Sequence, residues 1–146
     1  MQELSLLVGS GGHAMACIDV IEQEGRFKIA GLLGLQDEVG SEVLGYPILG
    51  CDDDLSELLK DIPNAIVSVG HIKTPEVRLK LFEKLQEKGC FIPTIISPYA
   101  YVSPYAAVAE GTIVMHGAII NAGARVGRNC IINSHSLVEH GVEIAD

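Results

Sequence analysis

Apolar and polar positions follow two rhythms along this chain. Over residues 1–97, short apolar runs alternate with segments of helical period. "LSLLVG" (4–9) predicts a first strand, and a helix follows from about Ala14 to Glu24. "KIAGLLG" (28–34) predicts a second strand, and "DDDLSELLKDI" (52–62) a helix opened by capping aspartates. "AIVSVG" (65–70) is a further strand. "TPEVRLKLFEKLQEKG" (74–89) has Thr74 as N-cap, Pro75 at the first helical position and Gly89 past the end. "FIPTII" (91–96) closes the series. Such alternation predicts a mostly parallel sheet with helices on its faces, a Rossmann-like α/β domain over residues 1–97.

Residues 98–146 obey a different rule. Stepping by six from Val102 gives Val108, Val114, Ile120, Val126, Ile132, Val138 and Ile144, all branched aliphatics. Four places after each comes Ala106, Thr112, Ala118, Ala124, Cys130, Ser136 or Val142, nearly all small. Neither a 3.6-residue helix nor a period-2 strand repeats an aliphatic every sixth residue. A left-handed parallel β-helix does, because each six-residue side turns one branched side chain inward and a small residue into the next corner. Three sides make a coil of about eighteen residues, so the segment supplies roughly two and a half coils.

Composition narrows the function. An apolar content of 48% is enough for a packed core. A net charge of −9 without a Lys/Arg cluster argues against nucleic acid and anionic membranes. No stretch approaches the length of a membrane span, and no basic-then-apolar leader opens the chain. Cys17, Cys51, Cys90 and Cys130 lie far apart among small or apolar neighbours, which reads as buried thiols in a reducing, cytoplasmic compartment.

Chemistry concentrates first at "VGSGGHA" (8–14), between the first strand and its helix. Glycines there let backbone approach a phosphate, and the helix start offers free N–H groups. The stretch also satisfies G-x-G-x-x-A, so a dinucleotide-dependent oxidoreductase competes. That alternative wants an acid at the end of the second strand, where Gly34 and Leu35 stand. A tight turn with no ligand is the third reading.

The remaining histidines differ in promise. His71 follows a strand's C-terminal end, near the crevice where such sheets bind ligands. His116 and His135 fall off the inward column and are expected as exposed corner residues. His140, two places after inward Val138, should project outward at a corner. Asp52, Asp53 and Asp54 are explained by helix capping and dipole matching rather than by a metal, and no Cys/His metal spacing exists.

"VGSGGHAMACIDVI", "EVLGYPILGCDDDL", "AIVSVGHIKTPEVRLKLFEKL", "YVSPYAAVAEGTIVMHGAIINAGARVG" and "IINSHSLVEH" together resemble one family. It is the hexapeptide-repeat sugar acyltransferases grouped with sialic acid O-acetyltransferase and bacillosamine-type UDP-aminosugar N-acetyltransferases. The resemblance implies acetyl transfer from acetyl-CoA to the amine of a nucleotide-linked amino sugar, with no metal. Sialic-acid-type O-acetylation and a non-catalytic nucleotide-sugar-binding module are the alternatives. It implies that Gly11, Gly12 and His13 contact the nucleotide-sugar, that Gly34, Leu35 and Gly70 line the same crevice, and that His140 is the catalytic base. Further coils beyond Asp146 and a homotrimer in the complete protein are also expected. Two departures stand out. The family often has acids where Gly34 and Leu35 stand, and places Asp or Glu where Gly141 follows His140.

Overall fold

The computed structural model describes residues 2–70 and 75–146. Its first part is a five-stranded sheet. β1 (Glu3–Val8) pairs in parallel with β2 (Phe27–Leu33) on one side and β5 (Asn64–Val67) on the other. β2 pairs in parallel with β4 (Tyr46–Gly50), and β3 (Glu42–Val43) adds antiparallel to β4, giving the order β3-β4-β2-β1-β5. The β3–β4 hairpin was not anticipated. Its turn places Leu44 at φ 49 and Gly45 at φ 85, and a leucine in left-handed backbone carries no turn signature.

Pleat alternation gives this sheet two buried faces. Leu7, Ile29, Leu32 and Ile66 pack under α1 (Gly12–Glu24) through Ala14, Cys17, Ile18 and Ile21. Leu6, Val8, Leu33, Ala65 and Val67 face α2 (Leu55–Asp61) and α3 (Glu76–Glu87) through Leu55, Phe82 and Leu85. The helix expected over 52–62 opens as a 3₁₀ turn at 52–54. There the Asp54 carboxylate accepts the Cys51 N–H at 2.9 Å, so one aspartate of the acidic run caps the turn. α3 lies within the expected 74–89 and ends before Gly89, at φ 73; the N-cap assigned to Thr74 lies outside the described residues.

The second part is the expected left-handed β-helix. Two-residue strands β6 (Ile95–Ile96), β7 (Tyr101–Val102), β8 (Ala107–Val108), β9 (Ile113–Val114), β10 (Ile119–Ile120), β11 (Arg125–Val126), β12 (Ile131–Ile132), β13 (Leu137–Val138) and β14 (Glu143–Ile144) form three parallel sheets. Their orders are β12-β9-β6, β13-β10-β7 and β14-β11-β8. Partners such as Ile119 and Leu137 stand eighteen residues apart, one coil of three six-residue sides. Val114, Ile120, Val126, Ile132 and Val138 fill the interior with Ala118, Ala124 and Cys130, while Val102, Val108 and Ile144 pack at its ends. Gly111, Gly117, Gly123, Asn129, His135 and Gly141 all take positive φ, between 57 and 78. One left-handed residue therefore turns every corner from 111 to 141, and glycine fills most of them because it lacks the Cβ that clashes there.

The segment 91–96, expected as a single closing strand, is divided between the two parts. Phe91 bridges to Asn64 at the β5 edge, whereas Ile95 and Ile96 pair with β9 as the first strand of the repeat ladder. Both halves are apolar, so polarity alone could not separate them.

Candidate functional site

The glycines of the loop after β1 have different duties. Gly9 sits at φ 130, and a Cβ there would lie 2.5 Å from Val69 Cγ2 and 3.0 Å from the Ser68 and Val69 backbone. This glycine lets β1 and the end of β5 close together, a contact sealed by Ser68 Oγ donating to the Gly9 carbonyl at 2.7 Å. Gly11 and Gly12 meet nothing within 4 Å, so the backbone at the start of α1 faces open space. Gly11 is the N-cap, and α1 begins at Gly12, two residues earlier than the sequence suggested. The first-turn N–H groups and the positive helix end thus face an opening that an anion can enter.

Two adjoining clefts flank this loop. One, of about 500 Å³, is lined by Gly11, Gly12, His13, Gly70, Ile131 and Asn133, together with Ser68 and Val69. Its floor is the strand–helix domain and its far wall is the β-helix. His13 stands against Gly70, whose added Cβ would approach its Cβ to 3.4 Å. The other cleft, of about 390 Å³, lies at the C-terminal ends of β1 and β2, between Ser10, Gly34, Leu35, Cys51, Val69 and Leu81. Val69 borders both. The six nucleotide-sugar residues named from the sequence therefore divide between the clefts. Gly11, Gly12, His13 and Gly70 share the first, and Gly34 and Leu35 the second. His71 lies outside the described residues.

The end of β2 holds an acid that the sequence did not announce. Glu38, in a 3₁₀ turn over 36–38, folds its carboxylate back so that Oε1 accepts from Ser10 Oγ at 2.9 Å and from the Leu35 N–H at 2.8 Å. These two donors hold its carboxyl below the usual range. Gly34 has no room for a side chain of its own, since its Cβ would lie 2.8 Å from Ser10 Oγ and 3.1 Å from Glu38 Oε1.

His140 projects from the corner between β13 and β14 with its side chain 85% exposed. Its Nδ1 stands 3.8 Å from Glu139 Oε2. Gly141, where a carboxylate was expected by resemblance, occupies the left-handed corner at φ 72. His140 lines neither cleft. His135 is exposed at a corner, as expected, with its ring over Gly117, whose Cβ would lie 2.6 Å from Nδ1. The expectation for His116 is corrected. Its ring is only 30% exposed, Nδ1 lies 2.5 Å from Ser97 Oγ, and Nε2 lies 3.1 Å from Asp19 Oδ2 on α1. It joins the β-helix to the first helix.

Arg78 was also missed. Only 1% exposed, its guanidinium donates to the carbonyls of Val67 (3.0 Å), Val69 (2.9 Å), Asn129 (3.1 Å) and Gly111 (3.3 Å). Burial lowers its pKa to about 10, still charged at neutral pH. It ties the C-terminal end of β5, at the cleft, to two stacked corners of the β-helix. Among the described residues no group of His, Cys, Asp and Glu is arranged to hold a metal ion.

Residues 6–85 match the PglD N-terminal domain family. The chain belongs to that family. The resemblance drawn from the glycine loop and the hexapeptide rhythm is thus borne out. Beyond the PglD N-terminal domain, the likeness to solved structures extends through the β-helix. A perosamine N-acetyltransferase from Caulobacter crescentus, a histidine-to-asparagine variant in complex with CoA and GDP-perosamine, superposes with a TM-score of 0.88 at 30% identity. That match covers 97% of this chain and 65% of the Caulobacter chain. A histidine-to-alanine variant in complex with the same two ligands gives the same figures. The acetyltransferase domain of PglB from Neisseria gonorrhoeae gives 0.86 at 25% identity, covering 99% of this chain and 68% of that one. The chain spans just under two thirds of the length of the Caulobacter proteins it matches. No curated protein matches the sequence significantly. Among the described residues no helix is long and apolar enough to cross a membrane.

Proposed function

We propose that this chain is the acceptor-binding and base-bearing part of an acetyl-CoA-dependent acyltransferase that acetylates the amine of a nucleotide-linked amino sugar. One observation carries the reading: 97% of the chain follows the fold of a perosamine N-acetyltransferase whose structure holds CoA and GDP-perosamine. Gly11, Gly12 and His13 take the diphosphate at the start of α1, where N–H groups and the helix dipole favour anions. Gly34, Leu35 and Gly70 shape the clefts on either side. The sugar amine attacks the thioester carbonyl of acetyl-CoA, forming the C–N bond as the C–S bond breaks. His140 takes the amine proton, a role suited to a histidine, whose unperturbed pKa lies near neutrality. A histidine is the residue replaced in the two Caulobacter variants, which supports a histidine in that role.

The outer face of the β-helix supports the homotrimer. Of its three outward columns, Ile95 and Ile113 lie buried against the first domain, and Ala107, Arg125 and Glu143 are small or charged. Tyr101, Ile119 and Leu137 form an apolar stripe exposed by 56%, 41% and 55%, a surface for neighbouring copies. Four free cysteines suit the cytoplasm.

The test is a full-length protein assayed with UDP- and GDP-linked amino sugars and acetyl-CoA, recording CoA release. Turnover on an amino sugar supports the reading. Turnover on sialic acid alone moves it to O-acetylation, and nucleotide-sugar binding without CoA release leaves a binding module.

A further inference from the structure

The acid that a nucleotide-binding sheet of this type carries at the end of its second strand accepts hydrogen bonds from ribose hydroxyls. In this chain that place holds Gly34 and Leu35, and neither is an acid. The structure fills the place from elsewhere. Glu38 turns back across the end of β2 and stands in the space before Gly34, bonded to two residues that line the cleft of about 390 Å³, Ser10 and Leu35. Only Oε1 is engaged in these bonds. Among the described residues Oε2 accepts no hydrogen bond, so one oxygen anchors the carboxylate and the other remains an acceptor.

We propose that Glu38 is the ribose-reading residue of this chain: its Oε2 accepts hydrogen bonds from the vicinal hydroxyls of the nucleoside diphosphate carried by the acceptor sugar. The proposal rests on the nucleotide-sugar reading above and adds to it a residue that determines specificity. Several facts support it. The carboxylate is fixed before ligand arrives, so little ordering remains to oppose binding. Its two donors lower its pKa and so favour the ionised form, whose hydrogen bonds are the stronger ones. Ser10 belongs to the same loop as Gly11 and Gly12, so the hydroxyl-reading acid and the diphosphate-binding backbone are held in one register. The return of Glu38, four residues after Gly34, leaves Gly34 no room for a side chain of its own.

Glu38→Gln isolates the claim. The amide oxygen still accepts from Ser10 and Leu35, so the turn stays in place, but an NH₂ donor replaces the second acceptor oxygen. Calorimetry would compare UDP and GDP with their 2′-deoxy and 3′-deoxy counterparts on the wild-type chain and the variant, with circular dichroism confirming the fold. The wild type should prefer the ribonucleotides by about 10-fold or more, the worth of a charge-assisted hydrogen bond. Glu38→Gln should weaken the ribonucleotides by a similar factor and bind all forms alike. Ser10→Ala should keep the preference, because the Leu35 N–H still holds the carboxylate. A variant that retains the wild-type preference overturns the role of Glu38 and leaves the nucleotide-sugar reading standing. A wild-type chain that binds no nucleoside diphosphate overturns both.

Discussion

Arg78 Nε donates to the carbonyl oxygen of Asn129 at 3.1 Å, so a helix of the strand–helix domain grips a corner of the β-helix. The same guanidinium reaches Gly111, the corner one coil below, and the Val67 and Val69 carbonyls at the end of β5. Among the described residues every acceptor of this clamp is a backbone carbonyl. Four backbone carbonyls share the positive charge and make its burial tolerable.

Replacing Arg78 by Met leaves those carbonyls without donors in a buried seam. The expected cost is about 3 kcal/mol or more, read as a drop in urea midpoint. Arg78→Lys should recover only part of it, because a single ammonium cannot fork to four acceptors. Equal stability of Arg78→Met and wild type would show that the seam closes without the clamp.

The loop after β1 predicts opposite outcomes for neighbouring glycines. Gly9→Ala puts a Cβ at φ 130 and 2.5 Å from Val69 Cγ2, and should destabilise the fold by about 2 kcal/mol or more. At Gly12 an added Cβ meets nothing within 4 Å, so Gly12→Val should leave thermal stability nearly unchanged. It should nevertheless weaken UDP- or GDP-sugar binding by about 10-fold, because the branched side chain occupies the diphosphate's approach. Unchanged affinity in calorimetry would place the ligand elsewhere.

The corners predict a coupling. Gly117→Ala and Gly141→Ala each put a Cβ on left-handed backbone, at a cost of about 1 kcal/mol. At Gly117 the new atom also meets the His135 ring at 2.6 Å, whereas at Gly141 nothing lies within 4 Å. Gly117→Ala should therefore be the more destabilising, and His135→Ala should remove most of the excess in a double-mutant cycle. Independent effects would mean that the His135 ring does not rest on Gly117 in solution.

Much of this architecture was legible in the chain. Val102 through Ile144 at every sixth place favoured a β-helix over an irregular β-meander, and the glycines at 111, 117, 123 and 141 mark its corners. What escaped was whatever depends on register rather than rhythm. Ile95 joins the ladder only because it sits eighteen residues before Ile113. Arg78 lies among charged neighbours in "EVRLKLFEKL" and reads as a solvated residue until the β-helix covers it. His116 looked like a corner residue because its partners, Asp19 and Ser97, are distant in sequence or chemically unremarkable. Glu38 was missed because the acid was sought on the strand, while the chain delivers it from the turn beyond.

The central claim is that His140 deprotonates the amine of a nucleotide-linked sugar, and one measurement reaches it most directly. In the full-length protein, CoA release would be followed at saturating acetyl-CoA and nucleotide-amino-sugar for wild type, His140→Ala and His135→Ala. Loss of a general base predicts a kcat lower by about 10²- to 10⁴-fold for His140→Ala. Nucleotide-sugar affinity should be unchanged, because the ring lines neither cleft. His135→Ala should turn over at close to the wild-type rate. Full activity in His140→Ala together with its loss in His135→Ala would contradict the assignment and the reading of the corner on which it rests.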